Sequence, residues 1–178
     1  MIHFLRKGYS LVELLVVISI IMVVFTIVNA NYRAYTRKRA LDGVAEGIKA
    51  DIRLAQEYAI SGKKPAGSCD ALQGIYFRRM AGSYYRIEAY CKVGGVNRTC
   101  TTSPGYPDLC YKDAVYLPSG YTMGNIVPVT PLNNIIYFKL GGRGNYLDPA
   151  SSPYSITITQ PYTSATKAIY FTAGGEVY

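Results

Sequence analysis

Glu13 is the first residue whose setting calls for chemistry. It is the one carboxylate in the stretch 11–28, where only Ser19 and Thr26 otherwise interrupt the hydrocarbon. An ionisable group near the start of an apolar helix marks a functional position, because leaving it unpaired away from water is costly. It can snorkel to headgroups, pair with Arg6 or Lys7, or pair with a cation from outside the chain. A second set is Cys69, Cys91, Cys100 and Cys110, none of which forms the C-x-x-C pair of zinc and redox motifs. Disulfides in an oxidising compartment are the simpler expectation. A third set is Arg78, Arg79 and Arg86 beside Tyr84 and Tyr85. Cations that neutralise phosphates next to rings that stack on bases make a candidate nucleic-acid-binding face.

Other patterns offer less. The one histidine is His3, in a short basic N-terminal segment, so no Ser–His or Cys–His base is expected in the remainder and no enzyme is anticipated. Gly141-Gly142-Arg143-Gly144 lacks the strand, spacing and helix of a phosphate loop and reads as a turn. Asp108 and Asp113 flank Cys110 without EF-hand spacing, so neither a metal nor a cofactor is expected. Asn97-Arg98-Thr99 is a formal glycosylation sequon.

The elements that must position these groups follow from the pattern of the 178 residues, enough for one compact domain and one long appendage. Residues 1–8 form a basic leader, and no charge occurs from 14 to 32. A helix there, rising about 1.5 Å per residue, would nearly cross a hydrocarbon core of about 30 Å. The run 28–32 only loosely resembles a signal-peptide cleavage site, so the apolar segment 9–32 is expected to be retained. From 33 to 61 the helix turns amphipathic: Leu41, Val44, Ala45, Ile48, Ile52, Ala55 and Ala59 recur at steps of three and four, between charges that include Asp51. Ser61-Gly62 and Pro65 end it. All nine prolines and 14 of 17 glycines lie beyond Ser61, punctuating β-branched and aromatic runs at 72–79, 84–91, 135–140, 154–159 and 167–172, with a last turn at Gly174-Gly175. The predicted fold is α+β: a long N-terminal helix whose C-terminal half packs on an antiparallel sheet formed within 62–178.

In that sheet a hairpin turning near Met80-Ala81-Gly82-Ser83 places Cys69 and Cys91 almost equally far from the turn. Four cysteines allow three connectivities. The favoured one joins Cys69 to Cys91 across the open end of the hairpin and Cys100 to Cys110 around a loop holding Pro104, Gly105 and Pro107.

Gly8-Tyr9-Ser10-Leu11-Val12-Glu13, followed by Leu14-Leu15-Val16-Val17-Ile18, resembles the cleavage and assembly signature of type IV pilins, minor pilins and type II secretion pseudopilins. The later stretches 47–63, 136–142 and 169–177 are similar to H-type pseudopilins and their minor pilin relatives. The resemblance implies a pilin-like fold, cleavage by a prepilin peptidase between Gly8 and Tyr9, N-methylation of Tyr9, and pairing of Glu13 with the Tyr9 amine of a neighbouring subunit. It implies a single-pass precursor in the inner membrane with its C-terminal domain outside, then an extracellular or periplasmic filament of identical or homologous subunits. No proline precedes Pro65, which favours a minor or pseudopilin-like subunit over a major one. The positive-inside count runs the other way, since Arg33, Arg37, Lys38 and Arg39 outnumber Arg6 and Lys7. The cleavage motif and the cysteines nonetheless put the leader in the cytoplasm.

The expected function is therefore that of a structural filament subunit held in membrane lipid before assembly. Nineteen Lys plus Arg against 11 Asp plus Glu give +8, and 62–178 alone carries 11 against six, hence +5. Such a balance suits an acidic partner. The alternatives are a DNA-binding minor pilin of an uptake pilus and a secretion pseudopilin.

Overall fold

A computed structural model describes residues 10–80, 82–100, 105–128, 134–141, 153–161 and 163–178. The chain divides into two compact units, Met1–Ala40 and Leu41–Tyr178. Helix α1, Leu11–Ser61, is continuous across that division.

Within Leu41–Tyr178, the helix buries one stripe: Leu41, Ala45, Ile48, Asp51, Ile52, Ala55, Gln56 and Ala59. The spacing is that of a single helical face. The helix stops at Gly62, whose φ of 61° is the left-handed conformation that glycine adopts without steric cost. The Lys63 N–H then bonds back to the Tyr58 carbonyl at 3.1 Å, the closure that satisfies a terminal helix carbonyl.

Eight strands follow: β1 Ala71–Arg79, β2 Tyr84–Val93, β3 Val96–Arg98, β4 Cys110–Tyr116, β5 Thr122–Val127, β6 Ile135–Lys139, β7 Tyr154–Thr159 and β8 Thr166–Phe171. They make two antiparallel sheets. In the first the order is β3-β2-β1-β6, with β4 also paired to β2; the second is β5-β7-β8. β3 meets β2 at Cys91, Lys92 and Val93, while β4 meets it between Tyr84 and Glu88, so the two share one edge of β2.

The sequence pattern anticipates one sheet and five strands; β3, β4 and β5 are additional. Their signals are weak for local reasons. β4 carries Lys112 and Asp113 and shifts register where Ala114 takes a φ of 35°, and β5 is bulged between Met123 and Ile126 around Gly124 and Asn125. Neither alternates cleanly.

Both sheets contribute to one core. Ile75, Phe77, Ile87, Ala89, Ile136 and Phe138 of the first and Met123, Ile126, Tyr154, Ile156, Ile158, Ile169 and Phe171 of the second are buried together with the helix stripe. Arg79 and Asn134 fasten the sheets to each other. The Arg79 guanidinium donates to the Met123 carbonyl from Nε and Nη2 at 3.0 and 2.9 Å, and the Asn134 side-chain oxygen accepts the Ile126 N–H at 3.1 Å. After the turn at Gly174-Gly175, Gln56 donates to the Gly175 carbonyl at 2.6 Å and Arg53 to the Val177 carbonyl at 3.0 Å, tying the last strand's return to the helix.

Ile52 lies fully buried at the middle of the stripe. Truncating it to alanine leaves a cavity between helix and sheet and is expected to cost about 2–5 kcal/mol. Urea unfolding of the detergent-solubilised chain, followed by near-ultraviolet circular dichroism, measures this; a loss under 1 kcal/mol would contradict the packing described.

Candidate functional site: the helix start and the arginine-bearing hairpin

Gly8 and Tyr9 lie outside the described residues. The helix begins with Ser10, whose Oγ accepts the Glu13 N–H at 3.2 Å while its carbonyl accepts the Leu14 N–H at 3.2 Å. Ser10-x-x-Glu13 has the spacing of a capping box, a local signal carried by the sequence. Glu13 thus occupies the first helical turn, where the helix dipole favours an anion. Its place is set by Ser10 whatever it pairs with.

Every described residue from 10 to 40 is exposed, including Leu14, Leu15, Ile20, Ile21, Val24 and Phe25. The two hydroxyls inside the apolar run satisfy themselves: Ser19 donates to the Leu15 carbonyl at 2.8 Å and Thr26 to the Val23 carbonyl at 2.7 Å. A helix whose backbone and hydroxyls are internally bonded can enter hydrocarbon without stranding polar groups. This helix is long and apolar enough to cross a membrane.

The hairpin β1–β2 carries the candidate nucleic-acid residues, and each has an intramolecular partner. Arg78 forms an ion pair with Glu88, which is fully buried and needs a counter-charge. Arg79 is held by the Met123 carbonyl, and burial lowers the pKa of its guanidinium. Arg86 Nε sits 2.9 Å from Asp113 Oδ1, an ion pair without hydrogen-bond geometry, and its guanidinium lies 5.9 Å from the Tyr84 ring centre. Tyr84 packs on Tyr116 with ring centres 5.2 Å apart. Tyr85 points the other way, into the core, and is 3% exposed. The register places Arg79 opposite Tyr85 and Arg78 opposite Arg86, so the fold separates Tyr85 and Arg79 from Arg78, Tyr84 and Arg86.

Tyr85 and Asp51 make a polar connection that the sequence reading missed. Asp51 is one of the charges that lie between the apolar positions in the sequence, yet its residue is 9% exposed. Its Oδ2 accepts the Tyr85 hydroxyl at 2.8 Å and its Oδ1 is 2.6 Å from Lys112 Nζ. α1, β2 and β4 meet at this one carboxylate. No motif encodes it, because the three residues are brought together only by the sheet register.

The cysteines pair as Cys69–Cys91 and Cys100–Cys110, each with Cα atoms 5.4 Å apart. Cys91 lies opposite Leu72 in the β1–β2 register, so the first bridge closes the open end of the hairpin. Ala81 of its turn and Pro104 of the second loop lie outside the described residues. Cys100 Sγ lies 3.3 Å from Glu88 Oε2, a contact rather than a hydrogen bond because a disulfide sulfur has no proton. Asp108 is turned to the protein: it accepts the Ser68 N–H at 2.6 Å, and that bond lowers its pKa. Asp113 faces Arg86. Among the described residues no group of His, Cys, Asp and Glu is arranged to hold a metal ion. Of the glycine-rich run only Gly141 is described, in a turn with φ 71°, and Asn97 of the sequon is exposed on β3.

Comparison with known proteins bears on the helix start. The prokaryotic N-terminal methylation motif matches residues 4–29. A fimbrial protein of Dichelobacter nodosus is 28% identical over 115 residues, covering 63% of this chain and 68% of that protein. The type IV major fimbrial protein FimA of the same organism is 29% identical over 115 residues, with the same coverage of 63% and 68%. No solved structure matches.

Burial pushes the Tyr85 phenol up, with Asp51 adding to it, and pushes Tyr76 and Tyr111 up to about 12, with Tyr90 and Tyr58 as the next causes. A phenol normally ionises near pH 10. Because the folded values are raised, the stability these neutral phenols contribute is complete below pH 10 and is lost as pH climbs from about 10 through about 12. Unfolding free energies measured from pH 8 to 11.5 should be flat and then fall, with Tyr85→Phe shallowing the fall. Asp51→Ala should cost about 1–3 kcal/mol at pH 7 by leaving the buried Tyr85 hydroxyl without its acceptor. An alkaline slope identical in Tyr85→Phe would refute the Tyr85 assignment.

Proposed function

We propose that this chain is a type IV pilin-like filament subunit, made as a precursor that a prepilin peptidase cuts between Gly8 and Tyr9 and methylates at Tyr9, and then drawn from the inner membrane into a fimbrial filament; the methylation motif matched at residues 4–29 and the similarity to fimbrial proteins support this reading. Before assembly its apolar helix spans that membrane with the C-terminal domain outside. The observation that carries this reading is the exposed apolar stretch 11–32 of α1, all but its last three residues within the methylation motif matched at 4–29. Nothing on that helix is buried, so its surface needs lipid first and other helices afterwards.

Glu13 supports the same reading. Cleavage would create an amine on Tyr9, four residues before Glu13, whose backbone N–H is capped by Ser10 in the first helical turn. Within one helix the two are close in sequence, and across subunits the pair neutralises both charges where packed helices exclude water. Similarity to a protein named as a type IV major fimbrial protein supports a fimbrial filament rather than a secretion pseudopilus. The helix without proline up to Pro65 supports a minor position in it. Nucleic-acid binding through Arg78, Arg79, Arg86, Tyr84 and Tyr85 is the weaker reading, since those side chains already serve the fold.

Replacing Gly8 with a bulkier residue is expected to leave the leader attached, whereas Glu13→Ala is expected to be cut normally and to reduce incorporation at least ten-fold. Mass spectrometry of the N terminus in membranes and in sheared filaments tests both. Sheared filaments bearing an intact leader would defeat the cleavage claim, and wild-type incorporation of Glu13→Ala would defeat the pairing claim.

A further inference from the structure

We infer that residues 33–39 of α1 form a cationic collar that binds the anionic phospholipid headgroups of the leaflet at which the apolar span ends. The inference rests on the membrane-held precursor proposed above and adds a ligand chemistry to it. Between residues 14 and 41 the only charges are Arg33, Arg37, Lys38 and Arg39. All four are exposed.

Axial position comes first. Residues 11–32 rise about 33 Å at about 1.5 Å each, close to a hydrocarbon core of about 30 Å. The next seven residues extend over about 9 Å, comparable to a headgroup layer of roughly 5–8 Å on each side. Tyr32 and Tyr35, 66% and 55% exposed, sit at the same level. Tyrosine suits that boundary because its ring is apolar and its hydroxyl wet.

Angular position then selects the partner. At about 100° per residue, Arg33, Arg37, Lys38 and Arg39 project at roughly 0°, 40°, 140° and 240° around the axis. They encircle the helix. A protein groove or a single strand of nucleic acid would meet a stripe, whereas a leaflet surrounds the helix on all sides and meets a collar. The chemistry also fits phosphate, since three of the four cations are arginines, whose planar guanidinium bonds two oxygens at once. Arg39 is already ordered: its Nε donates to the Tyr35 hydroxyl at 2.8 Å and its guanidinium lies 5.1 Å from that ring centre. That bond does not use the two terminal nitrogens. Thr36 Oγ1 is turned inward to the Arg33 carbonyl at 3.0 Å.

The collar also gives a role to cations that violate the usual charge bias of membrane topology. Four positive charges opposite the cytoplasmic leader hinder export, but once across they hold the span at a fixed depth against anionic lipid.

The test uses the full chain reconstituted into nanodiscs of phosphatidylcholine with phosphatidylglycerol, with spin-labelled lipids of either kind reporting the protein-contacting shell. Each cation near an anionic leaflet is worth roughly a five-fold factor. Wild type is therefore expected to enrich phosphatidylglycerol at least about three-fold at low salt, and this should fade as the screening length falls from about 10 Å at 0.1 M to about 3 Å at 1 M. Arg33→Gln, Arg37→Gln, Lys38→Gln and Arg39→Gln combined should remove most of the enrichment, while Arg6→Gln with Lys7→Gln in the leader should retain it. No enrichment in wild type, or equal enrichment in the quadruple variant, overturns the inference. If that variant keeps its lipid selectivity but loses cross-linking between copies, the collar serves a second subunit and the lipid assignment is likewise overturned. Carbonate extraction separates the two readings: a chain released by carbonate overturns the membrane-held precursor and this inference together, whereas a resistant chain without enrichment overturns this inference alone.

Discussion

Keeping Leu41, Ala45, Ile48, Ile52, Ala55 and Ala59 out of water is the constraint on which the folded unit depends. The hydrophobic effect scales with apolar area removed from solvent, and a helix with one apolar stripe can meet that demand only by acquiring a cover. Strands β1, β2 and β6 supply it with Ile75, Phe77, Ile87, Ile136 and Phe138, and the second sheet closes the core from its own inner face. The polar groups within this core are subordinate to the packing. Asp51 is tolerated in the stripe because Tyr85 and Lys112 satisfy its two oxygens. The carboxylate thereby fixes how the helix lies along β2 and β4, which apolar contacts alone would leave free to slide.

The first half of α1 is under the opposite condition. Its apolar residues lie on every side, so no single face of a sheet could cover them, and residues 10–40 are exposed throughout. Its polar elements are arranged for a medium without water: Ser10 caps the first turn, and Ser19 and Thr26 bond to backbone carbonyls of the preceding turn. A segment of this kind is stable in lipid or among other helices of the same kind. That physical requirement and the methylation motif matched over residues 4–29 both support the proposed filament subunit.

The distribution of charge shows why net charge alone does not name a partner. The hairpin concentrates Arg78, Arg79 and Arg86 beside two tyrosines, a composition suited to nucleic acid. In the fold, Arg78 neutralises the buried Glu88, Arg79 joins the two sheets through the Met123 carbonyl, and Arg86 faces Asp113. Their charge is spent on internal order. Arg33, Arg37, Lys38 and Arg39 are all exposed and stand where the hydrocarbon run stops.

Sequence by itself determined the features that depend on residues near one another along the chain. The apolar run, the change to a stripe at steps of three and four, the stop at Gly62 and the hairpin β1–β2 are all set by local periodicity and turn chemistry, as is the near-equal spacing of Cys69 and Cys91 about its turn. The Ser10 cap on the Glu13 N–H is local in the same sense, three residues apart. Tertiary structure decided what depends on register between distant segments. It produced the second sheet, in which β5 pairs with β7 across a bulge that hides its alternation. It also turned Tyr85 inward while leaving Tyr84 outside, and set Asp51, one of the charges between the apolar positions, at the centre of a three-element contact. These outcomes escape a reading of the sequence because a side chain's partner across a sheet is fixed by strand pairing over tens of residues, which local pattern does not encode.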